Sequence, residues 1–126
     1  AGLTCNDITF DGCNSKQGGG GGLFVKSDIE QSSEISIKNV SFTNCRANFG
    51  GAAFIESTSI QIGVNIIDCT FTSCQSMTAG FSSFTGGSGL YITAKKCFIN
   101  ECNFLKNIGE SQLKIFNDFE IYMNFH

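Results

Sequence analysis

Four stretches of the chain repeat one pattern of apolar and polar positions. They are LTCNDITFDGC (Leu3 to Cys13), ISIKNVSFTNC (Ile35 to Cys45), VNIIDCTFTSC (Val64 to Cys74) and CFINECNFLKN (Cys97 to Asn107). Aligned, they give the columns Leu3/Ile35/Val64/Cys97, Cys5/Ile37/Ile66/Ile99, Ile8/Val40/Cys69/Cys102 and Phe10/Phe42/Phe71/Phe104, and then Cys13/Cys45/Cys74/Asn107. A second block follows each first one, with inward candidates Leu23/Ala53/Leu90/Leu113 and Val25/Ile55/Ile92/Ile115. Spacing inside the blocks is two, with one three-residue step. That is strand spacing, and no block sustains a helical period. β-branched residues and Phe fill the strands, while Gly, Asn, Ser and Asp fill the joints.

A repeat of about 30 residues with two or three short strands cannot bury its own apolar face. Stacking the repeats buries it, because each column becomes a ladder of like residues. Parallel pairing one repeat apart, at roughly 4.8 Å, is therefore expected. The fold this predicts is all-β: a right-handed parallel β-helix, or solenoid, of about four coils. The hand comes from the general rule for parallel crossovers. The chain is expected to form a single domain over 1–126, with coils beginning near 3, 35, 64 and 97. A Greek-key sandwich also has regular short strands, but it does not require one residue type to recur in one column.

Gly50-Gly51-Ala52 and Phe104-Leu105-Lys106-Asn107 resemble the GGA and FxxN repeats of the chlamydial polymorphic outer-membrane proteins. More broadly, the chain resembles the pectin-lyase-like right-handed β-helix superfamily. It departs from the repeat pattern in placing Cys13, Cys45 and Cys74 where Asn is expected, and only one GGA is intact. The resemblance implies an extracellular protein with an adhesive or structural role; these residues show no trace of that family's membrane barrel.

Composition narrows the function. Eight basic against eleven acidic residues leave a charge of −3, which is unsuited to neutralising phosphates, so no nucleic-acid partner is expected. One Arg, one His and no Trp thin the catalytic repertoire. Thirteen Phe among fifteen aromatics point to packing more than recognition. No apolar run approaches the roughly 20 residues of a membrane span. The chain starts at Ala1 without a basic-then-apolar signal segment, which reads as a processed chain or an excised piece.

Seven cysteines contain no CxxC pair, and the only His is His126, so no metal site is expected. Stacking brings Cys13 beside Cys45, Cys45 beside Cys74 and Cys69 beside Cys102. Equivalent Cα atoms about 4.8 Å apart lie inside the range a disulfide accepts. Either disulfides between repeats or a buried ladder of reduced thiols satisfies the pattern, and Cys45 has two neighbours to choose between. Cys5 and Cys97 have no obvious partner. Asn39-Val40-Ser41 is an N-glycosylation sequon, with Asn39 expected to face outward.

An enzyme of this fold class would need carboxylates projecting from one face of adjacent repeats. The best acidic column is Asp7/Asn39/Asp68/Glu101, with Lys95 and Lys96 nearby in sequence. Asn and Asp at a fixed turn position more simply serve the turn. No catalytic residues, no cofactor and no metal are therefore assigned. Gly18 to Gly22 lacks the Lys-Ser/Thr of a phosphate loop and reads as a flexible corner. The longest joint, residues 75–87, carries Phe81 and Phe84 outside every column. They are candidate anchors of a binding loop for a surface glycan. Phe119 to Phe125 alternates as a strand and looks like the start of a fifth coil. Phe119, Ile121, Met123 and Phe125 are candidates for end-to-end self-association. The function expected is that of an extracellular or cell-surface structural or adhesive protein, secreted and glycosylated, stacked head to tail in a filament. Alternatives are a glycan-binding module and a non-catalytic fragment of a polysaccharide-active enzyme.

Overall fold

A computed structural model describes residues 3–15, 18–27, 35–57, 63–76, 88–94, 96–108, 113–116 and 120–125. Among these, every regular element is a strand. In chain order they are β1 (Leu3–Asn6), β2 (Thr9–Asp11), β3 (Leu23–Ser27), β4 (Ile35–Lys38), β5 (Ser41–Thr43), β6 (Arg46–Ala47) and β7 (Ala53–Ser57). Then follow β8 (Gly63–Ile67), β9 (Thr70–Thr72), β10 (Gln75–Ser76), β11 (Leu90–Thr93), β12 (Lys96–Leu105), β13 (Leu113–Phe116) and β14 (Glu120–Phe125).

All pairing is parallel, and the register follows the sequence columns. In the first ladder Leu3 faces Ile35, Ile35 faces Val64 and Val64 faces Cys97. In the second, Phe10, Phe42, Phe71 and Phe104 stand opposite one another in turn. In the third, β3, β7, β11 and β13 align Val25, Ile55, Ile92 and Ile115. The inward columns supply the core: Ile37, Ile66, Ile99, Ile55, Ile92, Phe42 and Phe71 are at most 1% exposed. One face of each strand is thereby removed from water, which supplies most of the driving force for folding.

Between the first and second ladders the chain turns at one residue per level. Asp7, Asn39, Asp68 and Glu101 all have φ between 54° and 58°. This left-handed conformation is least costly for Asn and Asp, whose short polar side chains tolerate it. A second left-handed column, Gly12/Asn44/Ser73/Lys106, follows the second ladder. Each corner hands its N–H up one level: Asn39 N donates to Ile67 O at 2.9 Å, and Asn44 N donates to Thr72 O at 3.0 Å. The corners thus continue the ladder hydrogen bonding where strand geometry is lost.

Two expectations are corrected. The right-handed parallel β-helix of about four coils does not stand; the described strands form an all-β set of open parallel sheets that do not close into a solenoid. The first and second ladders meet on β12 in one eight-stranded sheet, with a separate four-stranded sheet and a two-stranded pair of β6 and β10. The reason is that residue columns specify which strands pair and in what register, but carry no information about closure. Closure depends on joints such as 28–34, 58–62 and 77–87, which lie outside the described residues. β14 pairs with β12, so the first ladder has five strands in sequence order, the fifth within the stretch whose alternation marks it as a strand.

The second correction concerns Gly18 to Gly22. Gly20 N donates to Phe49 O and Gly50 O at 3.1 Å, Gly21 N to Gly51 O at 3.1 Å and Gly22 N to Ala52 O at 2.8 Å. The segment is a hydrogen-bonded corner stacked on Gly50-Gly51-Ala52, not a flexible one. Glycine is needed there for close backbone approach: a Cβ on Gly21 would overlap Gly51 O and lie 2.6 Å from Arg46 O.

Candidate functional site

Chemistry-bearing side chains gather in two sulfur columns. Arg46 N donates to Cys13 O at 2.8 Å, Gln75 N to Cys45 O at 2.9 Å and Ile108 N to Cys74 O at 2.8 Å. These bonds hold Cys13, Cys45, Cys74 and Asn107 in one stack. Asn103 N to Cys69 O, at 2.9 Å, does the same for Cys69 and Cys102. All seven cysteines are thiols; Cys13 is half-buried and the other six are buried.

Each stacked thiol above the first level lies against two carbonyls, one two residues back and one on the level below. Cys45 Sγ donates to Thr43 O and Phe10 O, both at 3.6 Å. Cys74 Sγ donates to Thr72 O at 3.5 Å and Phe42 O at 3.6 Å. Cys69 and Cys102 repeat the arrangement, reaching Ile37 O and Ile66 O at 3.5 and 3.4 Å. Asn107 shows what its column does. Its Nδ2 donates to Phe71 O at 2.9 Å, and its Oδ1 accepts from Cys74 N at 2.8 Å. The position calls for a small donor that reaches the carbonyl of the Phe one level below. Both Cys and Asn meet that need, so the cysteines expected to break the repeat pattern fill the same role.

Replacing Asn107 by Leu should therefore leave Phe71 O and Cys74 N short of partners and cost about 1–3 kcal/mol. Asn107→Cys should recover part of that loss. Urea unfolding of the two variants beside the parent measures both.

The thiols do not titrate alike. Burial first, then Cys45 and the Asp11 carboxylate, push Cys13 upward. Burial also pushes Cys97 up to about 12. Within the pairs the two thiols shift in opposite directions: Cys74 first, then burial, push Cys45 strongly upward, while Cys45 lowers Cys74 against burial. Cys102 and Cys69 behave the same way. Each pair releases its first proton more readily than its second, as expected where two thiols share a buried site.

The second feature is the level made by β1, β2 and β3. Each is an edge strand on this side. Leu3, Phe10, Cys13, Leu23 and Val25 pack on the core but remain partly exposed. Ile8 is 38% and Phe24 54% exposed. Phe24 begins an outer aromatic ladder that the inward columns do not reveal: it stacks on Phe54 at 5.0 Å, and Phe54 meets Tyr91 at 5.1 Å. Phe49 lies edge-on to Phe54 at 5.1 Å and to Tyr91 at 5.8 Å. The sequence signal was the alternation itself, since Phe24, Phe54 and Tyr91 occupy one outward column between the two inward ones.

The remaining sequence candidates are dispersed. Asn39 is exposed, and its Nδ2 donates to Asp7 Oδ1 at 2.6 Å. Asp7, Asp68 and Glu101 sit with it at exposed corners. Among the described residues no group of three or more His, Cys, Asp or Glu is placed to hold a metal, and no helix is long and apolar enough to cross a membrane. In β14, Ile121, Met123 and Phe125 stand at register positions opposite Cys97, Ile99 and Cys102. Phe81, Phe84 and Phe119 lie outside the described residues. Comparison with protein-family models, with curated proteins and with solved structures finds no match.

Proposed function

We propose that the chain is a structural and adhesive all-β repeat protein of the cell surface or extracellular space, whose copies extend one another's parallel sheets end to end. The observation that carries this reading is the level of β1, β2 and β3. Three parallel edges lie together there with a partly exposed apolar column, Leu3, Phe10, Leu23 and Val25. Unpaired strand edges are templates for further strands. A second copy offers strands at the matching spacing, with β14 and β13 as the last members of the first and third ladders. Such a contact joins two different surfaces and does not close on itself, so it propagates as a filament. The exposed sequon at Asn39 agrees with a surface location, as does the resemblance to surface-protein repeats. A glycan on Nδ2 leaves one hydrogen there for Asp7.

Sedimentation of the parent across a concentration series tests the reading. Growth into multimers is expected. Ile8→Lys with Phe24→Lys places charge at two exposed positions of the edge level, where folding is little affected, and should leave monomers. Ile121→Lys with Met123→Lys should do the same from the other end. A parent that stays monomeric, or an edge variant that assembles like the parent, overturns it.

A further inference from the structure

The column Cys13–Cys45–Cys74 is a graded arrangement. Its first thiol is half-exposed and lies beside the edge level, while the next two are sealed at 0% exposure. Cys13 and Cys45 stand on neighbouring levels of this column, and so do Cys45 and Cys74, held by Arg46 N donating to Cys13 O at 2.8 Å and Gln75 N to Cys45 O at 2.9 Å. Beyond Cys74 the column continues as Asn107, so no fourth sulfur follows. The second column, Cys69 and Cys102, is at 0% exposure throughout.

From this geometry we infer that Cys13 is a covalent modification site for low-molecular-weight disulfides in the folded chain while its edge level is uncovered, with Cys45 as its resolving thiol and a Cys13–Cys45 disulfide as the product. Access selects the site, because a thiolate must reach the small disulfide before exchange can begin. Cys13 loses its proton to solvent and attacks one sulfur of the reagent. A mixed disulfide forms at Cys13 Sγ, the reagent's S–S bond breaks, and one small thiolate leaves and is protonated. Cys45 then attacks Cys13 Sγ, its proton passing to the second small thiolate, which is expelled as a thiol. Two protein thiols are oxidised to one disulfide, and the small disulfide is reduced to two thiols. Neighbouring levels hold equivalent Cα atoms about 4.8 Å apart, within the range for a disulfide.

Cys74 is left reduced. It is sealed at 0% exposure, so no small disulfide reaches it. With Cys45 joined to Cys13, Cys74 keeps its bonds to Phe42 O and Thr72 O.

The folded, reduced chain carrying Cys5→Ser, which removes the other thiol nearest the edge, and Ile8→Lys with Phe24→Lys, which keep the edge level uncovered, is exposed to oxidised glutathione. It is then quenched by alkylation and mapped by non-reducing peptide mass spectrometry. The expected map shows Cys13 linked to Cys45, with Cys69, Cys74 and Cys102 alkylated only after unfolding. Cys13→Ser should slow disulfide formation in the column by about tenfold or more, Cys74→Ser should leave the rate unchanged, and Cys45→Ala should stop at a glutathione adduct on Cys13. A Cys45–Cys74 link formed at the parental rate in Cys13→Ser overturns the inference. A Cys69–Cys102 link that appears as fast as Cys13–Cys45 does so too. The parent map and the Cys13→Ser rate decide the matter even if Cys45→Ala does not fold.

Discussion

Phe42→Ala should destabilise the protein by about 3–5 kcal/mol, read as a lowered urea midpoint at unchanged slope. Phe42 is fully buried in the middle of the second ladder. Its ring stacks on Phe10 at 5.0 Å with planes 10° apart, and on Phe71 at 5.1 Å with planes 4° apart. Removing it leaves a ring-sized cavity that neither neighbour can fill, because parallel strand spacing holds both rings at their own levels. The loss is a large part of the roughly 5–15 kcal/mol that stabilises an ordinary domain. Phe10→Ala, at the partly exposed end of the same ladder, should cost less than half as much. Equal costs at the two positions would mean that the ladder does not pack as a continuous stack.

Gly51→Ala should be more damaging still and should abolish folding at 37 °C or reduce it to trace yield. The added Cβ would overlap Ser88 O and sit 2.6 Å from Gln75 O. Both are backbone atoms of the next level, so no rotamer change relieves the contact. The two levels would have to separate, breaking the neighbouring bonds from Ala52 N and Ala53 N to Gly89 O at 2.9 and 3.0 Å. Ala52→Gly, one residue on, serves as the control: it removes a methyl group without forcing anything apart and should cost about 1 kcal/mol. Circular dichroism and soluble yield of the two variants separate a steric block from a general intolerance of the corner. A Gly51→Ala protein with a parental urea midpoint would show that the levels are not packed this closely.

The two substitutions act on features that differ in how visible they are in the sequence. The Phe ladder is legible because one residue type recurs in one column at steps of about 30 residues. The reason for Gly51 is not legible, because it depends on Ser88 and Gln75, which are far away in sequence and belong to no matching motif. The thiol columns fall between these cases. Stacking of Cys13, Cys45 and Cys74 follows from alignment, whereas their donation to Phe10 O and Phe42 O, and the equivalence of Asn107, appear only when the carbonyls of the level below are in place. The left-handed corner at Gly12/Asn44/Ser73/Lys106 was missed for a related reason. Its residue types are too mixed to form a column, and only the shared φ unites them.

By itself the sequence determined an all-β chain, the identity of the paired strands and their parallel register. Period-two alternation and like-residue columns leave one way to bury the apolar face, and a one-residue slip would turn it outward. Only the tertiary structure decided how the sheets relate. β12 runs through a corner that divides the strands of lower levels and joins two ladders into one open sheet, and closure into a solenoid does not follow. Only the structure, too, separated a half-exposed Cys13 from the sealed Cys45 and Cys74. Burial and openness depend on what lies at the edges and joints of the sheets, and a column of like residues reads the same at an exposed edge as in the middle of a core.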